Sequence, residues 1–433
     1  MILDLNNNDH INLVNKLQQE YYNRLSKYRE IEKYYKGKTK AKENYKLTDR
    51  SNRKASINYI KKFVQEETSF AVGNDITYSS KTGLTDEIDT INYVIKGQKS
   101  ILDIELANVL GKFGEAYELR YLYNGELKIK VIEPLNAIAY CNNEDEVELF
   151  LYFYTKELDN NVYIDIIDDT CIYSFIKGSM IPINTVKHYF SSVPVGVAKF
   201  VNSVDDTIYS DIHELQDLYE MAMWDNCNNI ADLRSSYLCL SGASIEEEDV
   251  KDMKKLGIIQ LPQANSKAEW LQKNLEGDFC NSLINKLEDL IYQLSAHINH
   301  NVAMASNTSG VALSSRLISL RNKVITLQKC LENCIRSRLR DICTYYNISE
   351  NKNYDYKDIN IIFTMNLPQD DVSMAQIITQ LNGKLSAETG LNQLSFITDG
   401  KNEYAKAIEE QKQTINMTNL DLDTEVIKLY EGQ

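Results

Sequence analysis

No stretch of this 433-residue chain reaches 18 consecutive apolar residues, so no membrane-spanning helix is expected. The opening residues, MILDLNNNDHINLV, lack a basic segment followed by an apolar one, so no secretory signal is expected. Glycine is sparse, at 17 residues, and no GxGxxG occurs. The segment KGQKS at 96–100 ends like a phosphate loop, but Asn92 stands where its upstream glycine is needed, so the backbone cannot form the cradle. No GxSxG elbow supports a nucleophilic serine. Histidine numbers only five, without HExxH, and the three-apart pair His297 and His300 lacks a third ligand. The eight cysteines are scattered without paired zinc spacing, a pattern of reduced thiols in a cytoplasmic fold. Cys330 and Cys334 share a helical face and read as packing residues. The run EEEDVKD at 246–252 lacks the alternation of a calcium loop and reads as a solvated helix face. No catalytic residue, metal site or cofactor is therefore expected.

What is present is acidic and asymmetric. Net charge is −15, which opposes tight nucleic-acid binding, because phosphate neutralisation needs a basic footprint. Residues 1–62 nevertheless carry 15 Lys/Arg against 7 Asp/Glu.

Apolar spacing organises the chain. Val14, Leu17, Tyr21, Leu25, Tyr28 and Ile31 predict a first helix stopping near Gly37. Ile57, Ile60, Phe63, Val64, Thr68 and Ala71 predict a second, ending at Gly73. DITYSS reads as a short strand, and Asp86 as the cap of a helix running toward Leu110. From Gly114 the period becomes two, and Asn124-Gly125 between alternating runs marks a hairpin within an antiparallel meander reaching about residue 200. Glu118, Glu126 and Asp165 alternate with apolar residues and read as the solvent face of strands.

Ile208 to Leu233 marks a helix of about seven turns. A compact insertion follows, with strands SSYLCL and IIQL flanking an acidic helix. Phe279, Leu283, Leu287, Leu290, Leu294 and Ile298 mark another long helix. A bland polar segment, NHNVAMASNTSGVALSS, leads into Leu313, Leu317, Leu320, Val324, Leu327, Leu331 and Cys334, spaced by fours and threes. That helix has no Gly or Pro from Val311 to about Asn347, a length of roughly 50 Å. Its stripe needs an interior or neighbouring subunits to cover it. DINIIFTMNLP reads as a strand, and LSAETGL as a capped helix start.

The order of these parts resembles the portal proteins of tailed bacteriophages of Gram-positive hosts. The resemblance covers most of the chain. It is carried by YYKGK (34–38), EETSFAVGNDITYS (66–79), SDIHELQDLYEMAMWDNCNNIADLRSSYLCLSG (210–242), SGVALSSRLISL (309–320), and NLPQD with LNGKLSAETGL (366–391). It implies an α+β portal fold. A mixed helix/β wing would take 1–205, stem helices 206–234 and 274–299, and a small α/β clip 235–273. A tunnel loop would take 300–311, a long wing helix with a returning strand 312–385, and a C-terminal helical crown 386–433.

It further implies a dodecameric ring at one capsid vertex, a channel for double-stranded DNA in packaging and ejection. Implied partners are the terminase large subunit, a head-completion adaptor, and the major capsid and scaffolding proteins. The tunnel loop would present Asn301, Met304, Ser306, Asn307, Thr308, Ser309 and Gly310 to DNA, and the clip would dock partners through Glu246, Glu247, Glu248, Asp249 and Asp252. The chain departs from its relatives in reading NVAMASNT where they often carry a Pro and a Phe-Gly step. Two other readings stay open on residues alone: a nucleic-acid-processing enzyme with a dispersed site, and a generic oligomeric scaffold.

Overall fold

The computed structural model describes residues 1–46, 52–98, 101–179, 181–233, 237–241, 267–271, 277–299, 310–366, 371–381, 384–392, 394, 397 and 400–412. In chain order, α1 (Asn8–Tyr35), α2 (Lys40–Asn44) and α3 (Tyr59–Val72) precede β1 (Thr77–Ser80), α4 (Thr85–Lys96) and α5 (Leu102–Phe113). The meander follows as β2 (Glu115–Tyr123), β3 (Glu126–Ile132), β4 (Ala137–Cys141), β5 (Val147–Thr155), β6 (Val162–Ile167), β7 (Cys171–Ile176), β8 (Asn184–Lys187) and β9 (Val195–Lys199). Then come α6 (Ile208–Leu233), β10 (Tyr237–Ser241), β11 (Lys267–Leu271), α7 (Gly277–Leu294), α8 (Gly310–Ser349), β12 (Ile359–Ile362), α9 (Asp371–Gln380), α10 (Ala387–Leu391) and a helix over 400–412, α11. The chain divides into two compact units. One comprises Met1–Ile31, Phe63–Thr207 and His300–Gln433, and the other Glu32–Lys62 and Ile208–Asn299.

The first unit is layered. A five-stranded antiparallel sheet, order β4-β5-β6-β7-β8, is covered on both faces over its inner strands, while β8 is exposed. Leu17, Tyr21 and Leu25 of α1 pack on one face, against Leu149, Leu151, Phe153, Ile164 and Ile166. Tyr21 stacks on Phe153 at 4.1 Å between ring centroids. The opposite face meets a three-stranded sheet, β3-β2-β9, through Phe150, Ile167, Tyr117, Leu119 and Val195. The expected hairpin forms between β2 and β3, with Asn124 and Gly125 at φ 52° and 81°, the left-handed pair that a two-residue turn of this kind requires.

Alternation in β2 assigns residues to two faces but does not reveal what covers each face. Glu118, expected at solvent, is fully buried, and so is Arg120. The long helix α8 lies over their side of the sheet and supplies charged partners. Glu126 is exposed as expected, with Lys128 at 2.6 Å. Asp165 is half-buried and accepts from the Tyr154 hydroxyl at 3.3 Å; burial pushes its carboxyl up.

Asp86 is not a cap. Leu84 holds that position without a side-chain bond, while Asp86 accepts from Lys352 Nζ (2.8 Å) and the Tyr354 hydroxyl (2.6 Å). The single helix expected from Asp86 is two, because α4 ends at Gly97, whose amide closes on the Tyr93 carbonyl. β1 pairs antiparallel with β12, joining Thr77–Ser80 to Ile359–Ile362. Ser386 caps α10 by accepting from the Thr389 amide at 3.2 Å, as the capped start predicts.

In the second unit α6 has the predicted bounds and packs against α7. The Trp224 indole is buried and donates to the Ala55 carbonyl at 2.7 Å. Tyr34 packs edge-on against Tyr209 and donates to Asp217 at 2.7 Å. Three basic residues of Glu32–Lys62 have partners within the unit: Lys33 with Glu43 (3.0 Å), Lys42 with Ser56 (2.6 Å) and Lys62 with the Tyr292 hydroxyl (2.7 Å). β10 pairs with β11, a strand the sequence pattern did not indicate; IIQL and the acidic helix lie outside the described residues.

Glu220 is fully buried, accepting from Thr39 Oγ1 (2.6 Å) and the Ile57 amide (2.8 Å). Burial pushes its carboxyl above the usual range, with Asp217 adding to the effect. Between the ordinary and the raised value, the folded chain therefore holds more protons here than the unfolded one. Glu220's contribution to stability falls as pH rises through that window. Glu220→Gln should flatten this part of the decline, checked by melting temperatures from about pH 4 to about pH 8.

Candidate functional site

In sequence, the polar segment follows α7 of the second unit and precedes α8 of the first. Upstream, α7 stops at Leu294 rather than continuing through Ile298. Ala296 takes φ 63°, the His297 amide donates to the Tyr292 carbonyl (3.0 Å), and the Ala296 amide to the Gln293 carbonyl (3.3 Å). These bonds form a Schellman stop, here with alanine where glycine is usual, which hid it from a reading of stop residues. Ser295 is fully buried, and His297 is buried with Nδ1 2.8 Å from the Ser295 carbonyl. Residues 300–309, including Asn301, Met304, Ser306, Asn307, Thr308 and Ser309, lie outside the described residues, as does His300. Gly310 is the first residue of α8.

Downstream, α8 is one helix of 40 residues, about 60 Å long. Leu317, Leu320, Val324, Leu327, Leu331 and Cys334 are all buried, so an interior within this chain covers that part of the stripe. Leu313 lies in a stretch whose side chains are not described. The helix packs against β9, β2 and α5. Cys330 is half-buried and Cys334 fully buried. Burial pushes both thiols up, as expected of packing residues.

The stripe's threes and fours continue past Cys334 to Arg338 and Asp341, both fully buried. Arg338 Nε donates to both Glu118 oxygens, at 2.9 and 3.1 Å. Its Nη1 sits 2.7 Å from Asp103 Oδ1, off the line of a hydrogen bond. Arg120 Nε donates to Asp341 at 2.8 Å, its Nη2 to Ser337 at 2.7 Å, and its Nη1 to the Glu118 carbonyl at 2.8 Å. Arg340 joins at the rim, between Asp341 and Glu146. Burial opposes the Arg338 charge, but Asp103 and Glu118 more than offset it, holding the guanidinium well above its ordinary value. The sequence signal was available: charged residues at stripe positions of an apolar helix call for charged partners.

Beside Arg120 the sheet and helix come close. An added Cβ at Gly196 in β9 would lie 2.7 Å from Cys334 Sγ and 2.9 Å from Arg120 Nη1.

The remaining candidates do not assemble. Glu246, Glu247, Glu248, Asp249 and Asp252 lie outside the described residues. Glu118, Glu126 and Asp165 have separate partners. Among the described residues, no group of three or more His, Cys, Asp or Glu is placed to hold a metal ion. No described helix is long and apolar enough to cross a membrane.

Comparison with known proteins identifies the family. The family model "Phage portal protein, SPP1 Gp6-like" matches residues 14–417. A curated relative, the "Portal protein" of Clostridium phage phiCD119, is 22% identical over 322 residues, spanning 69% of this chain and 70% of its own length. Among solved structures, a chain in the neck of an empty gene transfer agent particle, computed with C6 symmetry, is similar in fold. Its TM-score is 0.51 at 10% identity, over 76% of this chain and 87% of that one. A chain of the native gene transfer agent virion is similar at TM-score 0.45 and 12% identity, over 76% and 86%. With the family model covering nearly the whole length, this chain belongs to the phage portal protein family, SPP1 Gp6-like, a structural component of the virion and not an enzyme.

Proposed function

We propose that twelve copies of this chain close into a ring at one capsid vertex, and that double-stranded DNA passes through its centre during packaging and ejection. The 300–311 segment is the part that meets DNA, through Asn301, Met304, Ser306, Asn307, Thr308, Ser309 and Gly310. The observation that supports this reading is the position in sequence of a segment without Lys, Arg, Asp or Glu, after a helix stop at Ala296 and before a helix with buried ion pairs. The segment has no Lys or Arg between Asn299 and Gly310, so it releases few counterions on contact with phosphate. DNA of any sequence can then slide without being retained. The pairing of Lys33, Lys42 and Lys62 within the chain fits this, since these cations are occupied by their own neighbours.

In the same reading, 1–205 is wing, 206–234 and 274–299 are stem, and 312–385 is the long wing helix with its returning strand. Residues 386–433 are the crown. Residues 235–273 form the clip, which docks the terminase large subunit and then the head-completion adaptor through Glu246, Glu247, Glu248, Asp249 and Asp252. Major capsid and scaffolding proteins surround the ring at the vertex. Assembly takes place in the host cytoplasm.

The test places cations in the channel. Ser306→Lys, Asn307→Lys and Thr308→Lys together should slow DNA translocation in a packaging assay, with a slope against salt steeper than wild type. Unchanged packaging with intact rings would refute the loop assignment.

A further inference from the structure

We infer that Glu118, Arg120, Arg338 and Asp341 set the axial register of the long helix against its sheet. The apolar stripe of α8 cannot do this by itself. Sliding the helix by seven residues, about 10 Å, carries Leu317 to the place of Val324 and Val324 to that of Leu331. The same slide carries Leu320 to the place of Leu327 and Leu327 to that of Cys334. Three of these exchanges replace one apolar side chain by another of similar size, which cores tolerate; only the fourth, leucine for Cys334 beside Gly196, is crowded.

The next two stripe positions break this repetition. Arg338 and Asp341 occupy them, fully buried, one helical turn apart. Glu118 and Arg120 face them from β2, two residues apart and therefore on one face of the strand. The helix offers plus then minus, and the strand offers minus then plus. In the observed register every charge meets its opposite. A seven-residue slide either way would set Leu331 and Cys334, or Tyr345 and Ile348, against Glu118 and Arg120. With Tyr345 and Ile348 there, all four charges lie away from water; with Leu331 and Cys334 there, Glu118 and Arg120 do, while Arg338 and Asp341 move to the places of half-buried Tyr345 and exposed Ile348. The penalty therefore falls only on wrong registers, and more heavily on the first.

Gly310 lies 28 positions before Arg338, about 42 Å along the axis. The quartet thus fixes the axial position of Gly310, the residue at which the 300–311 segment enters the helix. That consequence rests on the loop reading above; the register assignment does not.

The test measures register directly in the assembled protein. Spin labels are carried on keto amino acids at Tyr123 and Arg321, both exposed and both in the first unit. Labelled copies are diluted among unlabelled ones. Wild type should give one narrow distance. The apolar quadruple variant E118L/R120M/R338M/D341L should add a population displaced by about 10 Å. The half variants E118L/R338M and R120M/D341L should keep the single distance and melt within a few degrees of wild type, since the remaining pair still forbids the slide.

A quadruple variant with only the wild-type distance overturns the assignment, whatever packaging does. If that variant does not fold, the half variants decide, because a large fall in their melting temperatures would mean that the charges serve stability instead. Displaced distances with normal packaging uphold the register assignment and count against the loop reading.

Discussion

Arg338→Met alone should destabilise the protein by about 3–5 kcal/mol, the cost of leaving a buried carboxylate without its partner. Glu118 is fully buried and both its oxygens accept from Arg338, so bulk solvent does not reach it to replace the lost donors. Asp103 is about one-fifth exposed and can turn toward solvent, so most of the penalty falls on Glu118. Adding Glu118→Leu should recover most of the loss, because an apolar pair of similar volume removes the stranded charge. Denaturant titration of the two variants, followed by circular dichroism, reads both effects. A loss below about 1 kcal/mol for Arg338→Met would mean that Glu118 is solvated in solution, contrary to its burial here.

The second large effect comes from the smallest side chain in the same contact. Gly196→Ala puts a methyl group 2.7 Å from Cys334 Sγ, 2.9 Å from Arg120 Nη1 and 3.0 Å from the Cys334 carbonyl oxygen. Two of these neighbours cannot yield cheaply, since one is backbone and the other is held by Asp341 and Ser337. β9 must therefore move off the helix. The expected loss is about 3 kcal/mol, the upper end of the range for overpacking. Cys334→Ala in the same chain removes one contact of the three and should recover only part of it. Full recovery, or an initial loss within about 0.5 kcal/mol, would show that the gap between strand and helix is wider than described.

Much of this was legible from periodicity. The bounds of α6, the hairpin at Asn124-Gly125 and the stripe from Leu317 to Cys334 all follow from spacing and turn chemistry. What spacing cannot express is the identity of the covering layer. Alternation showed that Glu118 and Tyr117 point opposite ways, yet both faces of β2 are buried. A stripe is defined by apolar residues, so Arg338 and Asp341 were passed over at the two positions where the stripe changes chemistry. The helix stop at Ala296 was missed because alanine carries no stop signal, and only the backbone bonds reveal it. For the loop and the acidic docking residues, sequence order and family resemblance remain the whole basis.

The pairing of β1 with β12 has a consequence for the timing of synthesis. Thr77 and Ile362 are partners, so the first strand waits for some 280 further residues before its neighbour exists. Glu118 waits 220 residues for Arg338. At 5–20 residues per second, the first of these delays lasts roughly 15–55 s on the ribosome. Throughout the second, 220-residue interval the side of the sheet destined for α8 has no cover and Glu118 has no partner. Surfaces that need α8 or β12 are therefore absent until those segments have been synthesised.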